Sequence, residues 1–180
     1  MNLEFSKNYF ELFEVPLGFE VDSAALAQTF RDLQSQLHPD RFATADEKQR
    51  RLSVQGASWV NEAYQTLKDP MRRARYLLEL QGVEFNDETE TSSDPEFLME
   101  QMEMREALGE VRESDDAWAA LDEVTERIGR QDRALTEAFT RAFDTGDNAA
   151  AKEAVLKMKF FRRLQEEVER LEAALEDELA

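Results

Sequence analysis

A single proline fixes the plan of the N-terminal part of this chain. Leu26, Phe30, Leu33 and Leu37 recur at steps of four, three and four residues, and Pro39 follows at once. That spacing lines one face of an α-helix. The proline ring has no backbone N–H and disfavours the helical conformation for His38, so the helix has to end by Leu37 or His38. Asp40 is suited to cap or turn the freed backbone. The one histidine of the chain therefore sits at a loop tip beside a rigid imide and a carboxylate. Taken alone, His38-Pro39-Asp40 reads as an ordinary turn between helices.

The flanks give the turn a context. Residues 8–14 predict a short first helix with Phe10 and Phe13 inward, broken by Pro16-Leu17-Gly18. Asp22 and Ser23 are good N-cap residues for the helix that runs to Leu37. Beyond the loop, residues 44–68 predict a longer helix with the apolar stripe Leu52, Gly56, Val60, Ala63 and Leu67, stopped by Asp69-Pro70. Residues 71–81 predict a further short helix that packs through Met71, Ala74, Leu77 and Leu78. Two long central helices joined by His-Pro-Asp, with Arg41 and Phe42 directly after it, resemble the J-domain of DnaJ-type co-chaperones. In that family the loop engages an ATP-driven DnaK-type chaperone and promotes ATP hydrolysis in the partner. The resemblance implies a chaperone-binding role for His38, Pro39 and Asp40 with Arg31 and Arg41. Leu37 stands where many J-domains have tyrosine and Arg41 where lysine is common, and both changes keep the chemical character. The helix before the loop carries Arg31 but few other basic residues, which fits a dedicated partner better than a general one.

Composition removes several classes of function. Cysteine is absent, which excludes disulfides, zinc–thiolate sites and cysteine nucleophiles. One histidine excludes a multi-histidine metal site and leaves no spare base for a catalytic triad. No Gly-rich phosphate cradle is present for nucleotide binding. No basic segment followed by an apolar run opens the chain, and no uncharged stretch approaches membrane-spanning length, so a cytoplasmic protein without a membrane partner is expected. A net charge of −18 argues against nucleic acid, whose phosphates would be repelled. The acidity is uneven. Residues 1–82 carry ten Lys/Arg against twelve Asp/Glu, whereas residues 83–180 carry twelve against twenty-eight.

Residues 82–93 show neither a helical nor a strand period and read as a connector, anchored through Val83 and Phe85. Asp94-Pro95-Glu96 then starts a helix strongly, with a cap, a proline at the first position and an acid in the first turn. Three helices are expected from there. The first covers about residues 95–112. The second is capped by Ser114 and faces inward through Trp118, Leu121, Ile128, Leu135 and Ala142. Thr145-Gly146-Asp147 closes it, and the third carries a near-heptad seam of Phe161, Leu164, Val168, Leu171 and Leu175.

In the first of these helices Phe97, Met104, Leu108 and Val111 form one narrow stripe, sufficient to dock it. Leu98, Met99 and Met102 point elsewhere and share the outer face with Glu103, Glu106 and Glu110. Apolar residues among acids on a face the core does not need suggest a binding surface. The alternative is that Leu98 and Met99 bury against the connector or the first module while the glutamates solvate the helix. The segment Phe97-Leu98-Met99-Glu100-Gln101-Met102-Glu103-Met104-Arg105-Glu106 behind a J-domain, with the later Lys159-Phe160-Phe161, resembles the HscB family of iron–sulfur cluster co-chaperones across nearly the whole chain. In that family the J-domain recruits the chaperone HscA and the bundle binds the scaffold protein IscU. The resemblance places the scaffold-binding face on Leu98, Met99, Met102, Glu103, Glu106 and Glu110, with Phe160 added by the last helix. Phe160 lies at the flank of the seam, where a core role is equally open.

The expectation is an all-α protein: a J-domain over residues 1–81, a connector over 82–93 and a three-helix client-binding bundle over 94–180. It has no catalytic site, cofactor or metal of its own, and any cluster stays on the scaffold. The absence of the metal-binding cysteines of some eukaryotic relatives favours a bacterial form. The competing readings are a J-protein for a different, basic client and a structural coiled-coil protein.

Overall fold

Side-chain caps set the helices of the N-terminal unit one by one. A computed structural model describes residues 6–42, 45–86 and 90–179. The chain divides into two compact units, Met1–Leu80 and Gln81–Ala180. In the first unit, α1 (Tyr9–Leu12) opens on a reciprocal capping box. The Glu11 N–H donates to Asn8 Oδ1 at 3.0 Å and the Asn8 N–H donates to Glu11 Oε2 at 2.8 Å. Phe10 and Phe13 are both buried, as their spacing requires. Helix α2 (Ser23–Leu37) is capped by Asp22, whose carboxylate accepts from the N–H groups of Ala24 and Ala25. A 3₁₀ turn, Pro39–Phe42, leads on to α3 (Glu47–Lys68). Asp46 caps α3, so this helix starts later than the expected residue 44, and residues 43 and 44 lie outside the described residues.

Two contacts fix the pairing of α2 with α3. Ser53 Oγ donates to the Leu37 carbonyl at 2.7 Å, and the rings of Phe30 and Tyr64 stack with centroids 4.0 Å apart. Position advances along one helix as it retreats along the other, so the pair is antiparallel. The expected stripe on α3 needs one correction. Leu52 is exposed, and the buried row starts one residue later with Ser53, then Gly56, Val60, Ala63 and Leu67. Helix α4 (Pro70–Leu80) closes the unit. It buries Ala74, Leu77 and Leu78, and Arg73 with them. The Arg73 guanidinium donates to the Leu67 carbonyl at the end of α3 and lies over the Phe19 ring. Burial lowers its pKa. This is the helical arrangement that the J-domain resemblance implies.

In the second unit, the described part of residues 81–94 lies along the last helix. The Lys152 ammonium donates to the Glu84 carbonyl at 2.7 Å and pairs with Glu90 at 2.6 Å. Helix α5 (Pro95–Glu110) is followed by a 3₁₀ turn, Val111–Glu113, then α6 (Ala117–Asp144) and α7 (Asn148–Leu179). Asp116, not Ser114, caps α6, accepting from the Ala119 N–H at 3.0 Å. The α6–α7 corner turns on Gly146, whose φ of 74° suits glycine. The helical bundle closes around Phe97, Met104, Leu108 and Val111 of the α5 side, Leu121, Val124 and Ile128 of α6, and Phe161, Leu164, Val168 and Leu175 of α7. Trp118, Leu135 and Leu171 are only half-buried against it. Among the described residues no strand occurs, and no helix is long and apolar enough to cross a membrane.

Candidate functional site

The first site is the turn after α2. His38 leaves the helix with φ −56° and ψ 131°, the extended conformation that a following proline demands. Its side chain is 60% exposed and that of Asp40 is 91% exposed. The Asp40 N–H donates to His38 Nδ1 at 3.3 Å, and an Asp40 carboxylate oxygen stands 3.5 Å from the same nitrogen. The turn is braced from both sides. The Arg41 N–H donates to the His38 carbonyl at 3.0 Å, and the Arg41 guanidinium reaches back to the Ser35 carbonyl at 3.4 Å. Behind it, buried Ser53 satisfies the Leu37 carbonyl, one of the acceptors that a helix end leaves without an internal partner.

The structure thus brings His38, Asp40 and Arg41 together around the backbone of Pro39. Arg31 stands two turns back on α2, roughly 10 Å along its axis. It is exposed and donates to Gln28 at 2.6 Å. Ser53 was not among the expected site residues. Its signal was available: a stripe begun at Ser53 keeps steps of three, four, three and four to Leu67, whereas one begun at Leu52 opens with two consecutive fours.

The second site is the outer face of α5. Asp94 caps this helix at the N–H groups of Glu96 and Phe97 and holds Lys157 of α7 at 2.6 Å, while Lys157 also lies over the Phe97 ring. The Lys157 hydrogen bond keeps the Asp94 carboxyl below the usual range. Buried Ser92 adds a bond to Glu153 just before the helix. With its start pinned to α7 and Phe97, Met104 and Leu108 in the core, α5 has one rotation about its axis. That rotation leaves Leu98 at 42%, Met99 at 65% and Met102 at 73% exposure. Glu106 and Glu110 are exposed beside them.

Glu103 differs from those two. Its carboxylate accepts from the Arg127 guanidinium of α6 at 2.7 Å, so it marks the border of the face. Its neighbour Glu100 turns further inward and accepts from Gln131, and burial raises its pKa. Between α5, α6 and α7 an open cleft of about 490 Å³ runs beneath this border, with Met99 at its rim. Phe160 is not on the face. It is 7% exposed, edge-on to Phe97 and Phe161 in the core, with the Arg105 guanidinium over its ring. Leu98 and Met99 are exposed on the bundle, so burial against the connector does not hold for either residue.

A family model described as the HSCB C-terminal oligomerisation domain matches residues 93–169. A curated "Co-chaperone protein HscB homolog" of Shewanella oneidensis is 46% identical over 173 residues, covering 94% of this chain and 99% of that one. The protein of the same name from Vibrio cholerae is 47% identical over 168 residues, with 93% and 98% covered. Among solved structures, chaperone HscB from Vibrio cholerae superposes with a TM-score of 0.86 at 46% identity, covering 94% of this chain and 99% of that one. Human co-chaperone HscB gives 0.87 at 31% identity, with 96% and 85% covered.

Proposed function

The chain belongs to the HscB family of co-chaperones, and from that premise we propose that it is a bivalent adaptor acting in iron–sulfur cluster assembly in the bacterial cytoplasm. The C-terminal bundle, residues 94–180, binds the scaffold protein IscU through Leu98, Met99, Met102, Glu106 and Glu110, with Glu103 at the edge. The J-domain presents His38, Pro39 and Asp40, flanked by Arg41 and Arg31, to HscA and raises the ATPase rate of that chaperone. The family is named for co-chaperones, and hydrolysis belongs to the partner. Joining the two modules in one chain raises the local concentration of client at the chaperone.

The observation that carries this reading is that the apolar groups of α5 split in two. One stripe is fully buried and sufficient to dock the helix, and a second set, Leu98, Met99 and Met102, stands in solvent among carboxylates. Exposing three large apolar side chains at one end of a helix stabilises nothing in the chain itself. A partner that covers them supplies the reason, and methionine adapts to its surface while the acids select for basic groups.

The test is the steady-state ATPase of an HscA-type chaperone with and without the scaffold. The wild-type chain should stimulate it, and more so together with scaffold. Asp40→Asn should abolish the stimulation while calorimetry shows undiminished scaffold affinity. Full stimulation by the variant would refute the assignment of the trigger to this turn.

A further inference from the structure

Sulfur in this chain means methionine alone, since cysteine is absent and methionine occurs six times. Oxidants that would find a thiol in other proteins therefore meet thioethers here. The described methionines are far from equivalent. Met104 and Met158 lie in the bundle core at 0% and 2% exposure, whereas Met99 and Met102 stand at 65% and 73%. Met71 is half-buried in the other unit. The two open sulfurs are three residues apart on one helix, hence neighbours on its surface.

We propose that Met99 and Met102 form a paired oxidation site at which a peroxide reversibly switches off client binding, an inference that rests on the scaffold-binding reading of α5. Each thioether sulfur attacks one peroxide oxygen. The O–O bond breaks and an S–O bond forms. The departing hydroxide, or alkoxide if the oxidant is an alkyl hydroperoxide, takes the proton from the oxygen transferred to sulfur and leaves as water or as an alcohol. The sulfur is oxidised by two electrons and the peroxide is reduced by two. A flexible apolar side chain becomes a polar one with a strong acceptor oxygen.

The surroundings decide what that oxygen costs. Its α5 neighbours Glu103 and Glu106 offer only acceptors. Of the nearby cations, Arg127 is held by Glu103 at 2.7 Å and Arg105 lies over the Phe160 ring. Water satisfies the sulfoxide in the free protein and is expelled when a partner covers the patch. The penalty therefore falls on the complex and spares the fold.

The experiment treats the full-length protein with hydrogen peroxide, maps oxygen addition by peptide mass spectrometry, and titrates IscU by calorimetry. Met99 and Met102 should each gain one oxygen well before Met104 and Met158, with the circular dichroism melt unchanged. Affinity for the scaffold should fall about tenfold or more, as expected for two desolvated acceptors without partners. Methionine sulfoxide reductases A and B together should restore it. The double variant M99L/M102L, compared with its own untreated affinity, should lose none on peroxide treatment. Equal oxidation of the core methionines, or unchanged affinity of the oxidised protein, overturns the proposal. Untreated protein that fails to bind IscU instead removes the scaffold reading and this switch with it.

Discussion

Replacing Ser53 with alanine tests whether the His-Pro-Asp turn is held from behind. The Ser53 hydroxyl is 3% exposed as a residue and donates to the Leu37 carbonyl at 2.7 Å. Removing it breaks that hydrogen bond from one side and strands a buried carbonyl, a cost of roughly 1–3 kcal/mol. Against this, alanine is the better helix former by about 0.5 kcal/mol. The balance is a loss of about 0.5–2.5 kcal/mol, falling on the N-terminal unit alone. Trp59 lies in that unit and Trp118 in the other, so a W118F background makes fluorescence a probe of the first. With a urea slope of about 1 kcal/mol per molar for a domain this small, the midpoint should drop by roughly 0.5–2.5 M. The exposed Ser58 on the same helix provides the control. S58A removes no bond in the core and should leave the midpoint unchanged or slightly raised. The Leu37 carbonyl sits one residue before His38, so S53A should also speed amide exchange at Asp40 and Arg41 and lower ATPase stimulation without touching the turn itself. A midpoint equal to that of S58A would show that the carbonyl finds another partner and that the brace is no brace.

Further predictions follow from the bundle. Asp94 has its pKa depressed by Lys157, so its stabilising contribution is present above the ordinary carboxylate range and is lost as pH falls through the folded value. Asp94→Asn keeps a capping side chain, and its melting temperature should lie below wild type at neutral pH with the gap closing below about pH 4. Glu100 has the opposite sign: burial raises its pKa, so it favours folding when protonated and loses that advantage as pH rises through its folded value. Glu100→Gln should melt at or above wild type at neutral pH and converge with it in acid, which a pH series of melts will read. Phe160→Ala should cost about 3 kcal/mol or more as a core deletion. Met102→Ala, at an exposed position, should stay within about 0.5 kcal/mol of wild type in denaturant titrations. Both variants are expected to weaken scaffold binding, but for F160A the loss should track unfolding.

Where a hard stereochemical rule applies, the sequence alone is enough. Pro39, Pro70 and Pro95 each sit at a boundary that the structure reproduces, because a missing N–H admits no compromise. Periodicity served well on helices with one buried face, and Leu26, Leu33 and Leu37 of α2 are all buried. It served less well on α7, which has partners on two sides. Its buried arc takes in Ala154, Val155, Met158 and both Phe160 and Phe161, wider than a heptad seam. That width is why Phe160 is interior although it lies at the flank of the seam. Ser53 escaped because a hydroxyl in an apolar row looks like an interruption, and only the packed helix end shows what it bonds. The Glu103–Arg127 pair joins residues twenty-four apart on different helices, which no local pattern encodes. Exposure of Met99 and Met102, in contrast, was readable, since one stripe already satisfied the core.

The charge of the second module predicts opposite salt responses for two kinds of partner on that exposed face. Residues 83–180 carry twelve Lys/Arg against twenty-eight Asp/Glu, so two copies meeting through α5 would bring acid against acid, Glu106 and Glu110 among them. A basic partner gains from the same field. Salt screens both effects, with a Debye length of about 8 Å at physiological ionic strength and about 3 Å at 1 M. The two associations therefore respond to salt with opposite sign. Scaffold binding should weaken as salt is raised from 0.05 M to 0.5 M, through slower association and at roughly constant apolar burial. Pairing of the chain with itself through the same patch should strengthen over that range. Calorimetry and light scattering on the same samples measure the two slopes. A scaffold affinity that rises with salt would mean that Leu98, Met99 and Met102 carry the contact unaided and that the glutamates around them are no more than a solvated rim.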